Sequence, residues 1–341
     1  MEGSEERRSA LMSNVLVTGG AGYVGSVCSA ELIAQGHHVA VLDDLSAGHA
    51  CAVQAEAAFY EGDIGDTALL RHIVNKHQIE AVFHFAAKAL IPESVINPAI
   101  FFQVNVVAAF AMLEALRAMD VRRFVFSSTA AVYGNPVTIP IDEDAPKTPV
   151  NSYGESKLAF ERILATYARA YGINAVCFRY FNASGATDTR GEDHRPETHI
   201  IPLLLEAATE ERPHFTIYGD DYPTPDGTCL RDYVHVLDIA LAHILALKAM
   251  TDPGFTAYNI GTGLSYSVLD VRKAVEKVTG RPVPIRIGER RLGDPAILCA
   301  SPAKLMRELG WVPVNSDLHH IIATAWQRKP LRQPTLLSSA D

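Results

Sequence analysis

The sequence predicts an α/β fold: a Rossmann-like doubly wound parallel sheet with a smaller C-terminal α/β portion. Three observations carry this. Short apolar runs alternate with helical patterns through the first half of the 341-residue chain. The first run ends in a glycine turn, Gly19-x-x-Gly22-x-x-Gly25, that opens a helix. The second ends in an acid, Asp43. Strands alternating with helices give a parallel sheet covered on both faces and joined by right-handed crossovers. The length exceeds one ordinary core and suits a large domain plus a smaller one.

Strand patterns occupy 14–18, 38–43, 58–61, 81–84 and 123–127. Helical patterns lie between them at 24–35, 67–77, 94–119 and 152–171, and a further strand follows at 174–179. After Asn182 the pattern loosens, with Pro and Gly punctuating 212–227. Shorter helices are expected at 237–250, 268–279 and 302–309. The expected organisation is a tail at 1–12, a dinucleotide-binding domain at 13–182, a substrate-binding portion mainly at 183–330 and a tail at 331–341. The stretch from about 232 to 260 is expected to return to the main sheet.

At 48% hydrophobic and 20% charged, the composition is that of an ordinary globular protein. A net charge of -9 argues against a nucleic-acid or anionic-membrane surface. The most apolar stretch, 98–119, contains Gln103, Asn105, Glu114 and Arg117 and reads as a packed helix rather than a membrane span. The charged start, 1–8, lacks the apolar core of a signal peptide. Cys28, Cys51, Cys177, Cys229 and Cys299 are scattered with no Cys-x-x-Cys, which fits reduced thiols in a cytosol. No metal site is expected. His37-His38 and His319-His320 are adjacent pairs without ligand spacing and read as surface residues.

Glycines at the turn let the backbone approach a pyrophosphate, and the helix behind them offers free N–H groups and a positive dipole end. Asp43 can bind the adenosine ribose 2′-OH and repels a 2′-phosphate, which favours NAD over NADP. Asp63, after the third strand, either meets the adenine amino group or caps the following helix. Tyr153 and Lys157 lie one turn apart on one helix face. An ammonium beside a phenol favours the phenolate. Bringing a tyrosine from ~10 to about 7 takes roughly 4 kcal/mol, within reach of one close cation plus a second positive charge. Such a pair makes a general base for neutral pH. Ser127-Ser128-Thr129 ends a strand of the same sheet, whose carboxyl edge faces ligands. A hydroxyl, a phenol and an ammonium would then converge on one substrate oxygen.

Taken together, the glycine turn, Ser127-Ser128-Thr129 and Tyr153-x-x-x-Lys157 resemble the extended short-chain dehydrogenase/reductase superfamily. His84-Phe-Ala-Ala-Lys88, Arg179-Tyr-Phe-Asn182 and the block at 222–235 are similar to its UDP-glucose 4-epimerase family, and the likeness runs from about 14 to 311. The resemblance implies a tightly held NAD, a UDP-sugar substrate bound by the C-terminal portion, and a homodimer built from two helices per subunit. It implies reversible inversion at C4 of a UDP-hexose through a transient 4-keto sugar, with Tyr153 as acid/base.

It also places the contacts. The cofactor would meet Gly19, Gly22, Tyr23, Val24 and Gly25 at the turn, then Asp43, Asp44, Asp63 and Ile64 at the adenosine end. Phe85, Ala86, Ala87, Lys88, Asn105, Ser127, Tyr153, Lys157, Tyr180 and Phe181 would complete its site. Thr129 would bond the sugar hydroxyl. Asn182, Arg231, Arg291 and Asp294 would hold the diphosphate and uridine, and the strand of Thr216 and Tyr218 would pack the uracil. His199-Ile200 stands where relatives carry Asn-Leu. Leu298 falls near the sugar's 2-position. Its intermediate size leaves open an N-acetylated substrate, and a UDP-xylose/arabinose pair is a further alternative with the same reaction. Related dehydratases carry Asp-Glu after the Thr; here those places are Ala130 and Ala131, which cannot transfer protons. A non-enzymatic NAD-binding protein is the other alternative, and the intact Thr129/Tyr153/Lys157 set argues against it.

Overall fold

In a computed structural model of the chain, residues 12–194, 196–291 and 294–329 are described. The expected tails at 1–12 and 331–341 lie outside these, apart from Met12. The main sheet contains β1 (Asn14–Thr18), β2 (His38–Asp43), β3 (Ala58–Glu61), β4 (Ala81–His84), β5 (Arg123–Thr129) and β6 (Asn174–Tyr180). The strand Gly254–Ile260 joins β6 as a seventh. From that strand the order is β6, β5, β4, β1, β2, β3, all parallel. The direction of winding reverses between β1 and β4, where a crevice opens outside the carboxyl ends of the strands.

Alternation along each strand splits the core in two. Val15, Val17, Val39 and Val41 face α1 (Tyr23–Ala34) and the helix Val236–Ala249. Leu16, Ala40, Leu42 and Val82 face α2 (Thr67–His77) and the helices beyond it. Burial on both faces explains why these strands read as continuous apolar runs. A separate cluster of Leu204, Leu205, Val271, Val275 and Ile321 forms the core of the C-terminal portion.

Helix ends follow local chemistry. Asp66 caps α2 by accepting from the amides of Ala68 and Leu69, both at 3.0 Å. Asn151 caps α6 (Ser152–Tyr171) by accepting from the Gly154 amide at 2.9 Å, and Gly172 closes that helix with φ 67°.

The helix expected at 94–119 is broken. It divides into α3 (Ile91–Ile96), α4 (Pro98–Phe102), a π-helical turn at Gln103–Ala108 and α5 (Ala109–Ala118). Pro98 lacks an N–H and pushes Asn97 out of helical geometry, to φ -130° and ψ 73°. From Pro98 to Ala118 the chain is long and apolar enough to cross a membrane by composition; in the fold it packs along α2 and α6. β5 and β6 continue past their expected ends at 127 and 179, which carries Thr129 and Tyr180 to the sheet's rim. Helices Ile200–Ala208 and Leu318–Arg328 were not anticipated; Pro202 sits in the first turn of the former, where no amide partner is lost. His37 is buried rather than at the surface, and its Nδ1 accepts from the Ser13 amide at 3.1 Å.

Leu16 is fully buried in β1, an interior strand of this sheet. Leu16→Ala is expected to cost about 2–5 kcal/mol. Urea unfolding should show a lower midpoint at an unchanged slope; an unchanged midpoint would contradict the packing described.

Candidate active site

A cleft of about 1100 Å³ crosses the carboxyl ends of β1, β4 and β5 and extends into the C-terminal portion. Every residue expected to touch cofactor or substrate lines it except Asn105. The π turn points Asn105 inward, behind the loop after β4. Its Oδ1 accepts from the Lys88 amide at 2.9 Å, and its Nδ2 donates to the Lys88 carbonyl and Ser156 Oγ, both at 3.0 Å. Asn105 therefore holds the loop that presents Phe85, Ala86, Ala87 and Lys88.

At the glycine turn the backbone is crowded. Gly19 has φ 75°, and a Cβ there would lie 2.5 Å from the Ala86 amide nitrogen. A Cβ at Gly25 would lie 2.2 Å from the Gly19 carbonyl oxygen. No side chain caps α1 and its first turn carries no acid, which leaves the amides there directed at the cleft. Asp43 accepts from the Ala21 and Leu45 amides, each at 2.9 Å, so its carboxylate is pinned beside the turn. The two alternatives for Asp63 separate: Asp66 caps α2, while Asp63 accepts from the Gly65 amide at 2.6 Å and faces the cleft. Close-approach glycines, free helix amides and a fixed acid fit a dinucleotide.

Thr129 ends β5 and caps the short turn Ala130–Tyr133, accepting from the Ala131 amide at 3.1 Å. Its hydroxyl bonds Tyr153 near the start of α6. Lys157, one turn on, donates to the Ser127 carbonyl at 2.8 Å and lies 4.9 Å above the Phe126 ring. The electrostatics differ from the sequence expectation. Burial pushes the Tyr153 phenol above its ordinary value, and the Thr129 hydrogen bond opposes this. Burial also pulls the Lys157 ammonium down to about 8, against the Coulombic pull of Cys177 and Glu161. The lysine's bond is to a carbonyl rather than to the phenol, and burial sets the direction of the shift at Tyr153.

At the far end, the strand Leu230–Arg231 runs beside Ile297–Leu298, which sets Arg231 next to Leu298. Arg291 stacks 3.9 Å above the Tyr218 ring, on the strand Phe215–Tyr218. Two guanidinium groups at one end of a cleft suit a diphosphate. His199 immediately precedes the helix that starts at Ile200, and its Nδ1 meets Glu197 at 2.8 Å. His194 pairs with Glu192, and the donor atoms of Glu192, His194 and His199 lie within 4.8 Å of one another. The Glu192 bond raises His194; burial pulls His199 down, but the Glu197 and Glu192 carboxylates outweigh it. The spacing of these residues in the sequence gave no sign that they would meet.

Other supporting residues were also not anticipated. Buried Asp232 accepts from the amides of Thr262, Gly263 and Ala300 at 2.8, 3.0 and 3.1 Å and so ties Arg231 to the segment carrying Leu298. Buried His243 accepts a 2.8 Å bond from the Tyr180 hydroxyl while its Nδ1 donates to the Ile239 carbonyl at 2.9 Å. Burial takes it down to about 4, which keeps it neutral.

The model of the NAD dependent epimerase/dehydratase family matches residues 15–261. The chain is 46% identical over 312 residues to a UDP-glucose 4-epimerase of Corynebacterium glutamicum, covering 92% of this chain and 94% of that one. Its fold superposes on the crystal structure of UDP-glucose 4-epimerase from Brucella ovis in complex with NAD, with a TM-score of 0.88, 46% identity and coverage of 92% and 97%. The UDP-glucose 4-epimerase of Bifidobacterium longum in complex with NAD+ and UDP gives a TM-score of 0.88 at 35% identity, with the same coverage.

Gly25→Ala should force the turn apart, because the atom it meets is backbone. We expect NAD affinity to fall by at least about tenfold, a change of ~1.4 kcal/mol. Titration calorimetry on folded protein checks this; unchanged affinity contradicts the cradle.

Proposed function

The chain belongs to the NAD dependent epimerase/dehydratase family, and we infer that it interconverts UDP-galactose and UDP-glucose with NAD as its cofactor. The observation that carries this is the convergence of Thr129, Tyr153 and Lys157 in one cleft with the glycine turn at one end and Arg231 and Arg291 at the other. NAD, when bound, supplies reversible hydride acceptance and a positive charge; the residues supply position and proton transfer. Asp43, Asp63 and the turn amides would hold its adenosine and pyrophosphate. Arg231, Arg291, Asn182 and Asp294 would anchor the UDP, in a cleft that His199 and Ile200 also line.

Thr129 and Tyr153 bond the sugar 4-hydroxyl. Tyr153 as phenolate takes its proton while C4 is oxidised, which leaves a 4-keto sugar. The sugar turns about its anchored diphosphate, and reduction from the other face returns the proton through the same phenol. Tyr153 is therefore base in one half-reaction and acid in the other. Ala130 and Ala131 provide no acid for expelling a 6-hydroxyl, which disfavours dehydration. Leu298 lines the cleft and packs against the buried cluster that contains Ala130, Phe181 and Ala300. A side chain of that size gives ~1–3 kcal/mol of discrimination at the sugar's 2-position, so UDP-N-acetylgalactosamine is the informative second substrate.

A homodimer is also proposed. Val107, Phe110 and Tyr171 are 53%, 40% and 45% exposed on adjoining faces of the π turn, α5 and α6. Apolar surface of that kind marks an interface. The five free thiols support a cytosolic setting.

Purified protein given UDP-galactose and no added cofactor is expected to form UDP-glucose. Conversion of neither this nor the N-acetylated sugar, with NAD bound, overturns the epimerase reading. Tyr153→Phe should retain NAD and lose at least about 100-fold in turnover. Lys157→Met removes a cation from beside the phenol, so its pKa rises and the acid limb of the kcat–pH profile should move to higher pH. Phe110→Asp should give a monomer by light scattering; a persisting dimer rejects this face as the interface.

A further inference from the structure

We propose that the buried Glu161–Arg179 pair is a positioning unit for proton transfer: it fixes the inward face of α6, with Tyr153 and Lys157, against the end of β5 that carries Thr129. The inference rests on Tyr153 being the acid/base. Glu161 lies one turn beyond Lys157 and two beyond Tyr153, so all three share one helix face. Its side chain and that of Arg179 are 4% and 5% exposed. Neither lines the cleft.

A carboxylate so buried is held charged by fixed partners. Arg179 grips it with two bonds, Nε to Oε1 at 3.1 Å and Nη2 to Oε2 at 2.7 Å. Ser128 donates to Oε1 at 2.5 Å. Ser128 and Arg179 are register neighbours on β5 and β6. The pair thus straps α6 to two strands at the residue between Ser127, whose carbonyl holds Lys157, and Thr129, which bonds Tyr153. The remaining guanidinium nitrogen donates to Tyr133 Oη at 2.8 Å and the Glu143 carbonyl at 3.1 Å, which extends the strap to the turn after Thr129.

Cys177 from β6, His84 from β4 and Glu161 from α6 itself lie near Lys157, and Tyr180 from β6 lies near Tyr153. Burial raises the Cys177 thiol and the Tyr180 phenol and takes His84 down to about 3, so all three are neutral near pH 7. Of these Glu161 carries the charge; its carboxylate favours the Lys157 ammonium, and Arg179 is its partner in the buried pair.

Glu161→Gln in the NAD-loaded chain keeps the side chain's size and leaves Arg179 uncompensated. Turnover should fall about 10- to 100-fold, with KM for UDP-galactose within about threefold. An unpaired guanidinium favours the phenolate and disfavours the ammonium, so both limbs of the kcat–pH profile should move to lower pH by about half a unit or more. Wild-type kcat and limbs, even with a lowered Tm, overturn the proposal. If that variant does not fold, Glu161→Met with Arg179→Met is a neutral swap that buried pairs often tolerate. It should still lower kcat by at least about tenfold; kcat within twofold of wild type overturns the proposal. Tyr153→Phe separates the two readings. Full turnover there removes the base assignment on which this rests; an inactive Tyr153→Phe beside a fully active Glu161→Gln removes this inference alone.

Discussion

The site depends on how closely the backbone at Gly19 approaches the loop after β4. Gly19, Gly25 and Ala86 come within a distance that no Cβ allows, and this contact sets α1, β1 and β4 relative to one another. From it follow the exposed amides of α1, the place of the pinned Asp43, and the position of the loop that Asn105 fastens from behind. The opening between β1 and β4 would otherwise be an ordinary gap in a packed sheet. With the backbone drawn together there, it becomes a groove whose floor is amide rather than side chain.

Chemistry that resides in local spacing was legible in the sequence. The glycine turn, Tyr153-x-x-x-Lys157 and the Ser127–Thr129 strand end each specify their own geometry, and the cleft brings them together as expected. Strand limits such as 38–43 also held, because burial on both faces writes a continuous apolar run. What was not legible depends on partners far apart along the chain. Asn105 reads as one polar residue in an apolar helix; its task appears once a π turn aims it at Lys88 and Ser156. Asp63 and Asp66 are both acids before a helix, and which one caps it is a matter of three residues of register. His243 and Asp232 carry no spacing signal at all, since their partners come from other elements. The Pro98 break was visible in the letters, but the apolar pattern runs through it and hides it.

The acid–base pair shows where pairwise reasoning runs out. Tyr153 and Lys157 are neighbours by helical geometry, yet both are shifted by burial in the direction that disfavours their charged forms. A pocket dry enough to make a phenolate reactive also resists forming one. Thr129 offsets part of this with a hydrogen bond.

Thr129 has a consequence of its own. A hydroxyl has one proton to give and two lone pairs. The Ala131 amide occupies one lone pair, so the path from Ala131 through Thr129 to Tyr153 has a polarity. With a single proton, the Thr129 hydroxyl can serve one acceptor at a time: a bond given to Tyr153 is a bond withheld from any other oxygen in the cleft.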